Sequence, residues 1–253
     1  MRNLNLTIAK RTKGFTLLEL LIVIAILAIL ATVVVLVLNP AETLKKTRDS
    51  QRLSDMNTLR AAIALYVTQI GQPKLDGTAF SDTNCLDRFD GNTPDFGEPL
   101  NGAASNLRKI WVSLPDSSDI TDTSISTNMA NLASADFNQI VVADLYKTNG
   151  NGWIPVQFNA IQGGPPIANL PVDPTNAVTD LASVANEDLI YRYSCRSSRA
   201  ASNSTTFELN ARMESDDFKP GGASDKAAKD GGNNSNLYEV GTDLSILPGT
   251  DGF

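Results

Sequence analysis

An apolar run from Phe15 to Leu38, FTLLELLIVIAILAILATVVVLVL, limits what this chain can fold into more than any other feature. Only Thr16, Glu19 and Thr32 interrupt it. At about 1.5 Å per residue a helix over this run is roughly 36 Å long, which exceeds the hydrocarbon core of a bilayer at about 30 Å. The run therefore predicts a membrane-spanning helix.

The residues before this run are basic and contain no acid; the cations are Arg2, Lys10, Arg11 and Lys13. An ordinary secretory signal would end in a small-residue cleavage site, but here the apolar run leads directly into LNPAETLKK. A lipoprotein signal is excluded because no cysteine follows the run. The basic stub predicts that the amino terminus faces the cytoplasm.

Glu19 is the only carboxylate in the apolar run. A charge at the centre of a membrane helix costs about 2.5 to 3.5 kcal/mol on insertion scales, and less near an end. In one interpretation Glu19 sits at the headgroup boundary and has no function. In the other it meets a cation inside the apolar layer. Cutting the chain after Gly14 would create that cation, the α-amino group of Phe15 in a neighbouring copy, and the pair would set the register of packed helices.

The string KGFTLLELLIVIAILAIL resembles the class III signal of type IV pilins and type II secretion pseudopilins. That signal combines a basic leader, a glycine, a phenylalanine and a glutamate at the fifth mature position. The resemblance implies that residues 1–14 are a leader removed by a prepilin peptidase. It also implies that Gly14 precedes the cut, that Phe15 becomes an N-methylated amino terminus, and that Glu19 acts in assembly.

Beyond Pro40 the apolar residues recur every three or four positions, which is typical of an amphipathic helix. They are Leu53, Met56, Leu59, Ile63, Tyr66 and Ile70. Gly71 predicts the end of this helix. We therefore expect one long helix over residues 15–71, with residues 15–38 as its membrane or filament-core half and Pro40 as a point of kinking or loosening. The charges in KKTRDSQRLSD are expected to be mainly a solvated face.

Residues 72–253 predict a globular head outside the cytoplasm. Residues 72–170 are rich in turn-forming residues and are expected to be a variable insert, to which the sequence assigns no function. Two short apolar runs within it, Ile140 to Leu145 and Trp153 to Phe158, could be strands. Residues 171–253 are expected to hold the sheet, because apolar and polar residues alternate from Leu189 to Cys195 and from Phe207 to Met213, as in a hairpin.

The fold class expected is α+β, with the long amino-terminal helix packed against a carboxy-terminal antiparallel sheet. The loop LPVDPTNA and the two strands after it resemble the carboxy-terminal part of major pseudopilins, which implies the pilin fold.

Histidine is absent, which removes the usual proton-transfer side chain near pH 7 and the commonest metal ligand. No nucleophile motif is present, so we expect no enzymatic activity. The formal net charge of -7 gives no electrostatic reason to bind nucleic acid.

Cys85 and Cys195 are expected to be either one disulfide, formed in an oxidising compartment after export, or two buried thiols.

Aspartates gather near the carboxyl end, among glycines and asparagines, and Asp216, Asp225 and Asp230 are candidate calcium ligands. The EF-hand spacing is absent. Major pseudopilins carry a calcium in a loop of this region, so the resemblance implies a structural calcium here. The alternative is a solvated polar loop. No cofactor is expected to be required.

These features predict a structural subunit that polymerises into the helical filament of a type IV pilus or a type II secretion pseudopilus. The resemblance implies a prepilin peptidase, an assembly ATPase and an inner-membrane platform as partners. We expect a single-pass protein in inner-membrane lipid before assembly, and a cell-surface or periplasmic filament afterwards. The alternative is a monomeric, membrane-anchored extracytoplasmic binding module that does not polymerise.

Overall fold

The computed structural model describes residues 14–77, 85–87, 109–115, 136–180, 184–198, 203–247 and 249. The chain divides into two compact units, Met1–Thr43 and Leu44–Phe253. The helices are α1 (Leu17–Leu38) and α2 (Pro40–Gln69), and the strands are β1 (Leu86–Asp87), β2 (Lys109–Pro115), β3 (Asp136–Ile140), β4 (Tyr191–Ser198), β5 (Asn203–Ala211) and β6 (Tyr238–Gly241). Short 3-10 turns lie at Phe158–Ala160 and Ala227–Lys229.

Asn39 separates α1 from α2, so the expected single helix is two helices. Its backbone is left-handed, with φ 37° and ψ 73°. A following proline disfavours the helical conformation at the preceding residue, and asparagine tolerates the left-handed region better than most side chains. The Asn39 carbonyl then accepts the amides of Glu42 at 3.1 Å and Thr43 at 3.2 Å, which starts α2. The break predicted at Pro40 is confirmed, one residue earlier.

The strands form one sheet in the order β3-β2-β4-β5-β6, with β1 also paired to β4. The predicted hairpin is confirmed: β4 and β5 are antiparallel, with Tyr193 opposite Leu209 and Cys195 opposite Phe207. The α+β class is confirmed as well. The predicted carboxy-terminal antiparallel sheet is confirmed in β4, β5 and β6. Strands from residues 72–170 extend it with two parallel pairs, β1 with β4 and β2 with β3.

The described part of residues 72–170 contributes β1, β2 and β3 to the same sheet. The runs expected as strands there are not strands: β3 ends at Ile140 and the chain turns over residues 142–146. Residues 153–158 are irregular, with a single bridge from Gln157 to Asn149. Their apolar side chains fill the core instead, since Trp153, Ile154, Val156 and Phe158 are fully buried.

The core of the second unit lies between α2 and one face of the sheet. The predicted α2 stripe is buried, and Met56, Leu59 and Ile63 are 0% exposed. These side chains pack in one cluster with Tyr191, Tyr193, Phe207 and Leu209 of the sheet. One polar bond joins the sheet to α2, and a second joins it to the segment after α2. The Tyr191 hydroxyl donates to Asp55 of α2 at 2.9 Å, and the Tyr193 hydroxyl donates to the Leu75 carbonyl at 2.9 Å.

Cys85 and Cys195 are joined by a disulfide in the structure, at the point where β1 meets β4. The two residues are 110 apart in the chain, so the bond removes a large amount of conformational freedom from the unfolded state. Replacing both cysteines by alanine is expected to lower the free energy of unfolding by about 4 to 5 kcal/mol in the chain-entropy model.

Urea unfolding of the full chain in detergent measures the change. Wild-type protein in the presence of a reductant is the second sample, because it also lacks the disulfide. Both samples are expected to unfold at a lower urea concentration than the oxidised wild type. A double variant within 1 kcal/mol of the oxidised protein would contradict the prediction.

Candidate processing and assembly site

The first helix begins two residues after the predicted cut between Gly14 and Phe15. Gly14, Phe15 and Thr16 are not helical, and Thr16 is extended at φ −76° and ψ 150°. The Phe15 side chain is 85% exposed. The predicted cleavage bond therefore lies in an exposed segment outside regular structure, where proteases act most readily. Residues 1–13 of the predicted leader lie outside the described residues.

Thr16 and Glu19 form a capping box at the start of α1. The Glu19 amide donates to the Thr16 hydroxyl at 3.1 Å, and the Glu19 carboxylate accepts the Thr16 amide at 2.9 Å and the Thr16 hydroxyl at 3.0 Å. Each residue thus satisfies a backbone group that the first helical turn leaves without an intrahelical partner. In the single chain, Glu19 is therefore bound by its own helix.

The role of Thr16 was missed from the sequence, although the signal was present. TLLE, from Thr16 to Glu19, is the S/T-x-x-E pattern that starts helices. The structure thereby adds a third interpretation to the two considered for Glu19. The carboxylate has a hydrogen-bond partner within its own chain, and the two interpretations considered from the sequence stay predictions.

Apart from Glu19 and Thr32, the described side chains of α1 are apolar and exposed. Leu17–Val34 has a mean hydropathy of 3.0, and by length and composition it could cross a membrane. None of this segment is buried within the structure. Large exposed side chains occur all around the helix, including Leu18, Ile22, Ile26 and Leu30. Such a surface is suited to lipid or to other apolar helices.

A buried ion cluster fixes the amino-terminal half of α2 to the rest of its unit. Arg52 is 0% exposed and binds the Asp173 carboxylate through two nitrogens, at 2.7 and 2.8 Å. It also donates to Asp49 at 2.9 Å and to Glu214 at 2.6 Å. Burial lowers the pKa of Arg52, but these carboxylates outweigh it and the pKa is raised. The prediction that this charged stretch is mainly a solvated face is wrong for Asp49 and Arg52.

The cluster also organises two loops. Asp49 accepts the backbone amides of Glu214 at 3.0 Å and Ser215 at 2.8 Å, so a helix side chain starts the turn after β5. Asp173, in the loop LPVDPTNA, accepts the amide of Thr175 at 2.8 Å. Arg48 adds a two-nitrogen contact to Glu214, at 2.6 and 2.7 Å. The cluster positions the head on its helix.

The three predicted calcium ligands do not converge. Asp216 is exposed and pairs with Lys219 at 2.6 Å. The Asp225 carboxylate accepts the amides of Gly221 at 2.7 Å and Ala228 at 3.2 Å, and Asp230 accepts the amides of Gly232 and Glu239, both at 2.8 Å. Among the described residues, no group of three or more His, Cys, Asp or Glu side chains could hold a metal ion.

Comparison with known proteins agrees with the geometry at the start of α1. No curated protein and no solved structure matches the chain. The model of the prokaryotic N-terminal methylation motif matches residues 9–35, a stretch that contains Gly14, Phe15, Thr16 and Glu19. Residues 9–35 of this chain are therefore a prokaryotic N-terminal methylation motif, the class III signal peptide of type IV pilins and pseudopilins.

Proposed function

We propose that this chain is a structural subunit of a type IV pilus-like or type II secretion pseudopilus filament. A prepilin peptidase cuts it after Gly14, Phe15 becomes the N-methylated amino terminus, and α1 enters the filament core. The observation that carries the proposal is the methylation motif on a helix whose described surface is exposed and apolar except at Glu19 and Thr32. Membrane lipid covers that surface before assembly, and neighbouring copies of α1 cover it afterwards.

In this proposal the Glu19 carboxylate has different binding partners before and after assembly. Before assembly the carboxylate is bound to the amide and hydroxyl of Thr16, which lowers the cost of holding a charge at the membrane. In the filament it binds the Phe15 α-amino group of a neighbouring copy. Exchange between two hydrogen-bonded states avoids an unpaired carboxylate in the apolar layer at either stage.

The mass of the mature amino terminus tests the proposed processing. We expect the chain isolated from membranes that contain a prepilin peptidase to begin at Phe15 with one added methyl group. A Gly14→Leu variant is the control and should retain its leader, because the bulky side chain displaces the residue at the cut. A wild-type chain that keeps Met1 in those membranes would contradict the proposal.

A further inference from the structure

Two glutamates are buried on the face of the sheet that points away from the core. Glu208 of β5 alternates with Phe207 and Leu209, which pack in the core, so its side chain points to the other face. Glu239 of β6 alternates with Val240 in the same way. Glu208 is 0% exposed and Glu239 is 1% exposed. Other parts of the chain therefore cover both carboxyl groups.

The strand register brings these two side chains together. Glu208 lies directly opposite Gly241, and Glu239 is two residues from that glycine, so the glutamates are diagonal neighbours on one face. Diagonal neighbours in an antiparallel pair are about 7 to 8 Å apart, a separation that long side chains bridge. Gly241 has no side chain to keep them apart. The two carboxyl groups are within hydrogen-bonding reach of each other.

One oxygen of each carboxyl group is held by backbone amides. Glu208 Oε2 accepts the amides of Ile246 at 2.7 Å and Leu247 at 2.8 Å, and Glu239 Oε2 accepts the amide of Asn234 at 3.0 Å. The other oxygen of each, Oε1, is buried and has no hydrogen-bond partner in the described structure. Ionised carboxylates only accept hydrogen bonds, so two of them cannot bond to each other. One proton between the two groups satisfies both.

Three arginines lie on the same face by the alternation of their strands: Arg192, Arg196 and Arg212. Each donates a hydrogen bond to another group. Arg196 donates to Asp243, and Arg192 and Arg212 donate to backbone carbonyls at 2.6 and 2.7 Å. Burial lowers the pKa of Arg192, and Asp188 is the carboxylate that opposes this effect most. These bonds of the arginines are made to groups outside the Glu208–Glu239 pair.

Acidic side chains of the neighbouring segments make two charges on the pair unfavourable; they are Glu187, Asp188, Asp230 and Asp243. Asp230 accepts the Glu239 amide at 2.8 Å, and after burial its charge raises the pKa of Glu239 further. Burial raises the pKa of Glu208 well above its usual range, and the Glu239 carboxyl is the next cause. Two carboxyl groups in one buried site keep their last proton at a pH where exposed glutamates have lost theirs.

The pair also fastens the chain that covers it. Glu208 binds two amides of residues 243–247, which follow β6 and are called the covering segment. On the other side, a loop comes so close to Glu239 that a Cβ atom at Gly232 would overlap its carboxylate. A second charge on the pair would need water for its solvation, and water can enter only if this cover opens.

We propose that Glu208 and Glu239 share one proton and form a pH-sensitive latch, which holds the covering segment closed while the proton is bound and loosens when it is lost. The proton lies between the two Oε1 atoms, where one carboxyl group donates and the other accepts. The latch does not depend on processing or filament assembly, so its failure would leave the proposed function unaffected.

The sign of the pH effect follows from where the proton goes. In the unfolded chain a glutamate loses its proton above about pH 4.3, whereas the folded pair keeps one proton to a higher pH. Unfolding between these two pKa values releases a proton, so the unfolding equilibrium constant increases up to about tenfold per pH unit. The stabilisation is complete below the unfolded pKa and is lost as the pH rises through the folded pKa.

Urea unfolding of the full chain in detergent, from pH 5 to pH 8, tests the latch, and EDTA in every sample removes divalent cations. Glu208→Gln replaces the protonated carboxyl by an amide whose oxygen accepts the same backbone amides and whose NH₂ donates to Glu239. This variant is expected to lose the pH dependence of the pair. At pH 8 its unfolding equilibrium constant should be at least about tenfold smaller than that of the wild type. Asp216→Asn removes an exposed carboxylate and should keep the wild-type pH dependence.

The latch is overturned if the unfolding constant of the wild type changes with pH no more than that of Glu208→Gln. A Glu208→Gln protein that is less stable than the wild type at pH 8 would also overturn it, as would a wild type that is destabilised by EDTA at pH 7. Glu239→Gln is the second variant, because its amide can donate to Glu208 in the same way. Failure of both glutamine variants to fold would count against a shared proton.

Discussion

Glu19→Ala is expected to leave the chain cut after Gly14 and held in the membrane, yet absent from filaments. Removing one partner of a buried ion pair costs about 3 to 5 kcal/mol, which is roughly two to four orders of magnitude in the equilibrium for adding a subunit. Electron microscopy and quantification of sheared filaments measure the loss. Membrane fractionation and the mass of the amino terminus measure what is retained.

Thr16→Val is the matched control, because it removes the hydroxyl that binds Glu19 within the chain and leaves the carboxylate in place. Loss of the cap costs about 1 kcal/mol at the start of α1. We expect this variant to form filaments. Equal loss of filaments from both variants would assign Glu19 to capping its own helix, and wild-type filament levels from Glu19→Ala would show that the carboxylate is unnecessary. No filaments from the wild type under assembly conditions would favour a monomeric anchored module.

Arg52→Met is expected to destabilise the second unit by about 3 to 5 kcal/mol. Methionine fills much of the same volume, but it leaves the buried Asp49 and Asp173 carboxylates without their guanidinium. Urea unfolding of the full chain in detergent measures the change. Arg60→Met on the exposed face of the same helix is the control and should stay within about 0.5 kcal/mol of wild type.

Arg52→Lys distinguishes charge from geometry in this cluster. Lysine keeps the positive charge but cannot bind Asp173 through two nitrogens in a fixed fork. We expect a loss intermediate between those of wild type and Arg52→Met. An Arg52→Met protein within 1 kcal/mol of wild type would show that the carboxylates find other partners and that the cluster is not what holds α2 in place.

The sequence predicted elements that depend on a local pattern. The apolar run specified α1, the spacing of Met56, Leu59 and Ile63 specified the buried face of α2, and strict alternation specified the β4–β5 hairpin. Partners of β1 and β2 were not predictable, because strand neighbours are chosen by contacts between segments far apart in the chain. The alternation of polar residues on β5 likewise did not show that residues near 246 would cover them.

The ion cluster was hidden for a more specific reason. Asp49 and Arg52 continue the three-and-four spacing of Met56 and Leu59, so they lie on the buried stripe itself. The charge of Asp49 and Arg52 predicted that they face solvent, whereas their position on the helix predicted that they are buried. They are buried because Asp173 and Glu214 supply carboxylate partners for Arg52. Those partners are distant in the sequence, and no local pattern connects them to the helix.

That distance has a consequence for the order in which the protein folds. Arg52 is made early, but its partners Asp173 and Glu214 follow 121 and 162 residues later in the chain. For the exported head proposed above, docking of α2 before both have crossed the membrane would bury Arg52 with Asp49 alone of its three carboxylate partners, which is unfavourable. The head is therefore expected to consolidate late, as a post-translocational event, with α1 already in the bilayer. A truncated chain that ends before Glu214 should leave α2 undocked and open to proteases.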